Sequence, residues 1–432
     1  MSTLSIALVS MAACFLLGVP IFMSLAIAAA ISLIFSDILP LAVIHNTLFD
    51  GLNIFPLLAI PCFIVAGTLM ERGNITQQII DVVKSIVGRV YGGIGITTLL
   101  ACTFFAAITG SGASTVAAVG SILIPAMINN GYSRTYAGSV ASTGGTIGIL
   151  IPPSNPMIIY AIICNLSVTG MFTAGFIPGF IMAGAQCLVA WLLARKYGYR
   201  GDENAPPVTV GNILRTMRRA FFSLATVFVV LGSIYTGLAT PVEASVVAVV
   251  WALFVGGVIN RALTFKDIYD ALCDGAMICG SILLIVGTST LFGKILTYEE
   301  APLRLANMVL DFSSNKYVVM LLIIAVLYVL GMFMETLATI ILLAPVLLPV
   351  LNQLGIDPIH FGIILVMTNE VGLLTPPLGV NLFVSSRLAN VSVEKLAVGV
   401  LPFIGIMTCV ILLVLFFPGI ATWLPYTLGY GN

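Results

Sequence analysis

The sequence predicts an all-α polytopic membrane protein built as two inverted-topology repeats, each holding a re-entrant hairpin and a broken helix. Three observations carry that prediction. First, 60% of the 432 residues are hydrophobic and only 8% charged, where a soluble domain carries about 25% charged residues. Second, a polar, glycine-rich stretch, Thr109–Pro156, lies between long apolar runs. Third, adding 224 to its numbering finds a second copy without a gap. Thr115 meets Thr339, Pro125 meets Pro349, Gly131 meets Gly355, Gly148 meets Gly372, and Pro152-Pro153 meets Pro376-Pro377. Gly/Pro-interrupted apolar segments in matching halves are a pointer to a secondary transporter's binding site. Asp50-Gly51 falls on Asp274-Gly275 at the same offset.

Net charge is zero, so no basic face points to nucleic acid, and the eight cysteines are scattered without metal-ligand spacing. The first basic residue is Arg72. The apolar N-terminus thus lacks the positive region of a cleaved signal and is expected to be retained.

Along the first repeat (1–194), Thr3–Gly18 and Pro20–Phe35 read as apolar helices, Ser36–Asp50 as a loop and Ile54–Met70 as a crossing. In Glu71–Arg89, Ile79, Ile80, Val83 and Ile86 share a helical face beside Asp81, Lys84 and Arg89, the pattern of a helix lying along the membrane interface. A hairpin over 92–128 turns at Gly110-Ser111-Gly112. A broken helix over 136–163 and a crossing at Met171–Leu193 complete the half. The linker 195–219 is polar and holds six basic residues. The second repeat (220–432) follows the same plan, with crossings at Ala220–Leu238, Ala244–Ile259 and Ala276–Leu296 and an amphipathic stretch at Tyr298–Phe312. Then come a hairpin over 317–351 with its tip near Glu335, a broken helix over 360–386 and a last crossing, Ala397–Phe417. Five crossings and a hairpin per half force the two repeats to be inverted.

Charge supports this map. With the linker in the cytoplasm and both termini outside, fourteen of the seventeen basic residues lie inside and only Lys294, Arg304 and Lys316 outside, as the positive-inside rule asks.

Unwound backbone in hydrocarbon costs several kcal/mol for each unpaired group unless it lines a cavity or is buried in protein. Freed carbonyls with Ser, Thr and Asn oxygens are hard neutral ligands suited to Na⁺. One candidate ion cluster is Ser111, Ser114 and Thr115 with Thr143, Gly145 and Gly148. The other is Glu335, Thr336 and Thr339 with Thr368, Asn369, Gly372 and Thr375. One ion per half gives at least two Na⁺. For each hydroxyl, the plain alternative is a bond back to its own helix. Polar side chains found in one half only are free to serve an asymmetric substrate: Ser154 and Asn155 stand opposite Leu378 and Gly379, and Asn381 closes the second break. Arg387 has the fork to hold a carboxylate, although its place at the cytoplasmic end of a helix favours plain positive-inside anchoring. Glu335 and Glu370 are intramembrane carboxylates and so candidates for function, by cation binding, proton carriage or structural pairing.

The tip GSGAST (Gly110–Thr115), the break GILIPPSNP (Gly148–Pro156) and its partner NEVGLLTPPLGVN (Asn369–Asn381) resemble the large membrane subunit of tripartite ATP-independent periplasmic (TRAP) transporters, over essentially the whole chain. The resemblance implies an elevator-type transporter in the bacterial cytoplasmic (inner) membrane. It implies Na⁺-driven uptake of an organic acid, such as a C4-dicarboxylate or sialic acid, delivered by a periplasmic binding protein. It also implies a small four-helix membrane subunit, expected as a separate chain because this one begins at the first large-subunit helix. The alternative is a partner-free divalent-anion:Na⁺ symporter, whose Ser-Asn-Thr tips GSGAST and METLAT lack. A membrane-embedded enzyme is disfavoured, since His45 and His360 stand far from any clustered nucleophile. ATP-driven transport is disfavoured too, because no G-x-x-x-x-G-K-[ST] loop occurs.

Overall fold

A computed structural model describes residues 3–35, 43–202, 207–313, 315–376 and 379–430. Among them every regular element is helical. The first repeat runs α1 (Thr3–Leu16), α2 (Ile21–Ile34), α3 (Val43–Leu52), α4 (Ala59–Arg72), α5 (Ile75–Val87), α6 (Gly93–Thr109), α7 (Gly112–Asn129), α8 (Arg134–Gly148), α9 (Asn155–Ile163) and α10 (Val168–Tyr197). The second runs α11 (Val210–Arg219), α12 (Phe221–Tyr235), α13 (Pro241–Leu253), α14 (Phe265–Tyr298), α15 (Ala301–Phe312), α16 (Lys316–Gly331), α17 (Thr336–Gln353), α18 (Pro358–Gly372), α19 (Val380–Ala389), α20 (Val393–Phe416) and α21 (Gly419–Thr427).

The 224-residue offset holds at the level of elements. It carries the bounds of α7 onto those of α17, and those of α8 onto those of α18, to the residue. The local chemistry repeats with it. Gly131 and Gly355 follow α7 and α17 with φ of 82° and 61°, the left-handed conformation in which a helix commonly ends on glycine. Ser133 and Asp357 then cap the next helix, accepting from the Tyr136 amide at 3.2 Å and the Ile359 amide at 2.7 Å. Each repeat thus closes one helix and opens the next with the same two devices.

Among the described residues, seven helices are long and apolar enough to cross a membrane, or eight if α11 and α12, bent by 67°, count as one span. Two of the seven, α7 and α17, are the second arms of the hairpins, while α1 and α2 are only 14 residues long and both broken crossings are divided between two shorter helices. Two expectations need correction. The segment read as a loop at 36–50 carries helix α3 from Val43, packed against α14; its residues 36–42 lie outside the described residues. The polar His45, Asn46 and Asp50 suggested a loop, but tertiary packing overrides weak propensity. Within the 195–219 linker, α10 runs on to Tyr197 and α11 occupies Val210–Arg219. On α5, Ile75, Ile79, Ile80 and Val83 are buried as the periodicity asks, whereas Ile86 is exposed.

The two repeats interlock. α19 packs against α7 and α8 of the first repeat, and α9 packs against α17 of the second. Each hairpin is therefore completed by the far half of the other repeat's broken crossing. Close approach is built into the sequence: a methyl placed on Gly148 would lie 1.5 Å from the Ala106 Cβ, so α8 and α6 meet at a contact only glycine permits. Gly372 has the same role in the second copy, where a methyl would lie 2.7 Å from the Gly331 Cα of α16. The hairpins differ in one respect. α6 and α7 pack along each other, while α16 and α17 scarcely touch and α16 packs mainly on α18.

Candidate functional site

The interlocking brings both tips and both breaks to one cavity of about 240 Å³. Its lining includes Gly110–Ser114 from the first tip and Glu335–Leu337 from the second. Asn155 at the start of α9, Asn381 at the start of α19 and Glu370 near the end of α18 complete that side. The facing wall is α4, through Ile64, Gly67, Thr68 and Glu71, with Ile278 and Ile282 of α14. Asn155 and Asn381 arrive from opposite repeats because α9 and α19 have exchanged hairpins.

The polar groups here are unevenly satisfied. Thr336 donates from its Oγ1 to the Glu370 Oε1 at 2.5 Å, while the Glu370 Oε2, also buried, has no partner among the described residues. Asn155 is 3% exposed and its Oδ1 is unpartnered; Asn381 is 1% exposed and its Nδ2 is unpartnered. Behind them Thr368 Oγ1 and both amide atoms of Asn369 are buried and unpaired. Each such group costs about 1–3 kcal/mol, so this concentration of them marks a place shaped for something to bind. No cluster of three His, Cys, Asp or Glu side chains suited to a metal occurs among the described residues. The oxygens offered to an ion here are those of Glu335 and Glu370 together with hydroxyls, amides and backbone carbonyls. Those donors fit a hard monovalent cation by their chemistry.

Of the residues expected from sequence, the structure brings Ser111, Ser114, Glu335, Thr336, Asn155 and Asn381 to the lining. Ser114 donates to the Ser111 Oγ at 3.3 Å, so the two hydroxyls stand together at the tip. Gly145 lies directly behind, its carbonyl 3.0 Å from where a Cβ on Gly112 would stand. Thr368 and Asn369 are buried one layer out.

The remaining candidates have structural partners. Thr115 donates to the Ser111 carbonyl at 2.8 Å, Thr143 to the Ser139 carbonyl at 3.0 Å, and Thr339 to the Glu335 carbonyl at 3.1 Å. These are bonds back to their own helices. Ser154 caps α9, accepting from the Met157 amide at 3.4 Å. Gly148 and Gly372 serve helix packing. Thr375 follows α18, its amide donating to the Gly372 carbonyl at 2.9 Å, and is not on the cavity wall. Arg387 is exposed in the last turn of α19, away from the lining, so this structure does not bring it to a cavity ligand. Pro377 and Leu378 of the second break lie outside the described residues.

Sequence reading missed Glu71. It stands first in the amphipathic stretch, yet it lies in the last turn of α4 and lines the cavity. The available signal was an acid directly continuing a 17-residue apolar run, the situation in which a carboxylate is presumptively functional. Glu370, weighed as an intramembrane acid but not placed in either ion cluster, proves to line the cavity and to hold Thr336.

Repeated halves, paired hairpins and broken helices around one central cavity define a multi-pass helical membrane protein of the secondary-transporter class. The model of the family "Tripartite ATP-independent periplasmic transporter, DctM component" matches residues 8–420, and the chain belongs to that family. Among its relatives, the C4-dicarboxylate TRAP transporter large permease protein DctM of Rhodobacter capsulatus is 34% identical over 96% of this chain and 97% of its own. The sialic acid TRAP transporter large permease protein SiaM of Vibrio cholerae is 34% identical, with 96% and 97% covered. The isethionate TRAP transporter permease protein DctMQ of Oleidesulfovibrio alaskensis is 36% identical over 93% of this chain, which spans 63% of that longer relative. Among solved structures, the Alcanivorax borkumensis YdaH transporter, reported to have an unusual topology, superposes with a TM-score of 0.66 at 14% identity, covering 91% of this chain and 90% of that one. That likeness concerns the fold alone.

Proposed function

We propose that this chain is the large permease of a Na⁺-coupled uptake system for an organic acid, working by an elevator movement in the bacterial inner membrane. The observation that carries the reading is the convergence of two tips and two breaks on one cavity whose buried amide and hydroxyl groups lack partners. Unwound helix ends offer carbonyls to cations, and the starts of α7, α9 and α17 offer amides to an anion. The hairpins with α8, α9, α18 and α19 form the moving body, and α4 with α14 belongs to the scaffold whose wall it slides along.

Relatives named for C4-dicarboxylate, sialic acid and isethionate support an organic acid as the cargo. The family's tripartite, periplasmic name supports delivery by a periplasmic binding protein and assembly with a small membrane subunit. The distribution of basic residues supports periplasmic termini. Uptake is to be compared in cells expressing this chain alone and in cells that also express the small subunit and the binding protein. The reading predicts uptake only in the second case. Equal uptake in the two would support a partner-free symporter instead.

A further inference from the structure

The charge of the cavity is unlike that of an ordinary anion site. Its lining holds three carboxylates, Glu71, Glu335 and Glu370, and among the described residues no lysine, arginine or histidine. Arg72 is next to Glu71 in sequence, but its guanidinium is turned to Asp274 at 2.6 Å and Asp270 at 3.4 Å. Glu335 and Glu370 stand with the second candidate ion cluster, where Thr336 bonds Glu370. Glu71 is on α4, in the wall formed by α4 and α14, near enough to Arg72 and Asp274 to feel their charges. The two buried amides add complementary demands: the Asn155 Oδ1 lacks a donor, and the Asn381 Nδ2 lacks an acceptor.

Resting on the organic-acid reading, we infer that the substrate is zwitterionic, with one acid group and one ammonium group, and that Glu71 is the specificity residue that faces the ammonium. The acid is taken by the Asn381 amide and the helix start at Gly112 beside it, a positive dipole end. The ammonium is taken by Glu71 and the Asn155 Oδ1. A zwitterion adds no net charge to a lining that holds three acidic side chains and no basic one, whereas a dicarboxylate adds two negative charges there. Like charges set against each other discriminate between ligands more strongly than lost contacts do.

Three probes of one length isolate this choice: β-alanine, 3-hydroxypropanoate and succinate differ only in whether the far end is ammonium, hydroxyl or carboxylate. Their apparent affinities for the purified large and small subunits together in NaCl are read from concentration-dependent thermal shifts, with propylamine as a control lacking the acid. The expected order is β-alanine, then 3-hydroxypropanoate, then succinate, with β-alanine preferred over succinate by roughly tenfold or more. Glu71→Gln should shrink that ratio to about threefold or less, while Glu71→Asp retains it. Absence of β-alanine binding, succinate binding as tightly as β-alanine, or a ratio unchanged in Glu71→Gln overturns the inference. Should Glu71→Gln not fold, the wild-type order alone decides. Propylamine binding as tightly as β-alanine would instead remove the organic-acid reading itself.

Discussion

Asn155 is the residue at which sequence and structure agree most closely. It differs between the repeats, opens α9, lines the cavity and leaves its Oδ1 unpaired. Asn155→Ala is expected to weaken substrate affinity by roughly tenfold or more, the worth of a hydrogen bond to a charged group, with a smaller change in Na⁺ affinity measured without substrate. Equal shifts in both would assign Asn155 to the ion site, though reciprocal coupling has to be separated by that substrate-free measurement. Other residues were less legible. Sequence marks a polar side chain at a break but not the direction of its bond. Thr115, Thr143 and Thr339 carry the same chemistry as Thr336, and only the fold distinguishes those that bond backward along their helix from the one that reaches Glu370. Glu71 was hidden for a related reason: helical periodicity groups it with α5, and only the turn at Gly73 and Asn74 assigns it to α4.

At the scale of elements, the offset of 224 located both hairpins and both breaks because turns and breaks are written in local chemistry. The left-handed glycines, the caps and the prolines all act within a few residues. What the offset could not reveal is the exchange of α9 and α19 between repeats, since contacts across some two hundred positions leave no local trace. Glycine at the helix crossings makes this packing testable. Gly148→Ala forces a methyl against Ala106, whose Cβ would be 1.5 Å away, and overpacking of that kind costs about 1–3 kcal/mol. The expected result is a lower midpoint of thermal unfolding in detergent. An unchanged midpoint, with transport intact, would mean that α6 and α8 are not held at the distance described.

For the whole molecule, composition was enough to identify a membrane protein, and the odd number of crossings per half was enough to require inversion. The orientation rests on charge alone. A single cysteine placed in the 195–219 linker of a cysteine-depleted variant should resist membrane-impermeant thiol reagents applied to intact spheroplasts. Rapid labelling from outside would reverse the map and put both termini in the cytoplasm. The central claim concerns the use made of the cavity: neutral oxygens at the tips and breaks hold Na⁺, and its gradient drives the organic acid inward. Its most direct test is uptake of the labelled acid bound by the cognate periplasmic protein, into proteoliposomes holding both membrane subunits at a fixed membrane potential. Uptake against a concentration gradient is expected with an inward Na⁺ gradient and should vanish when choline replaces Na⁺, with or without a proton gradient; undiminished accumulation in choline would contradict it.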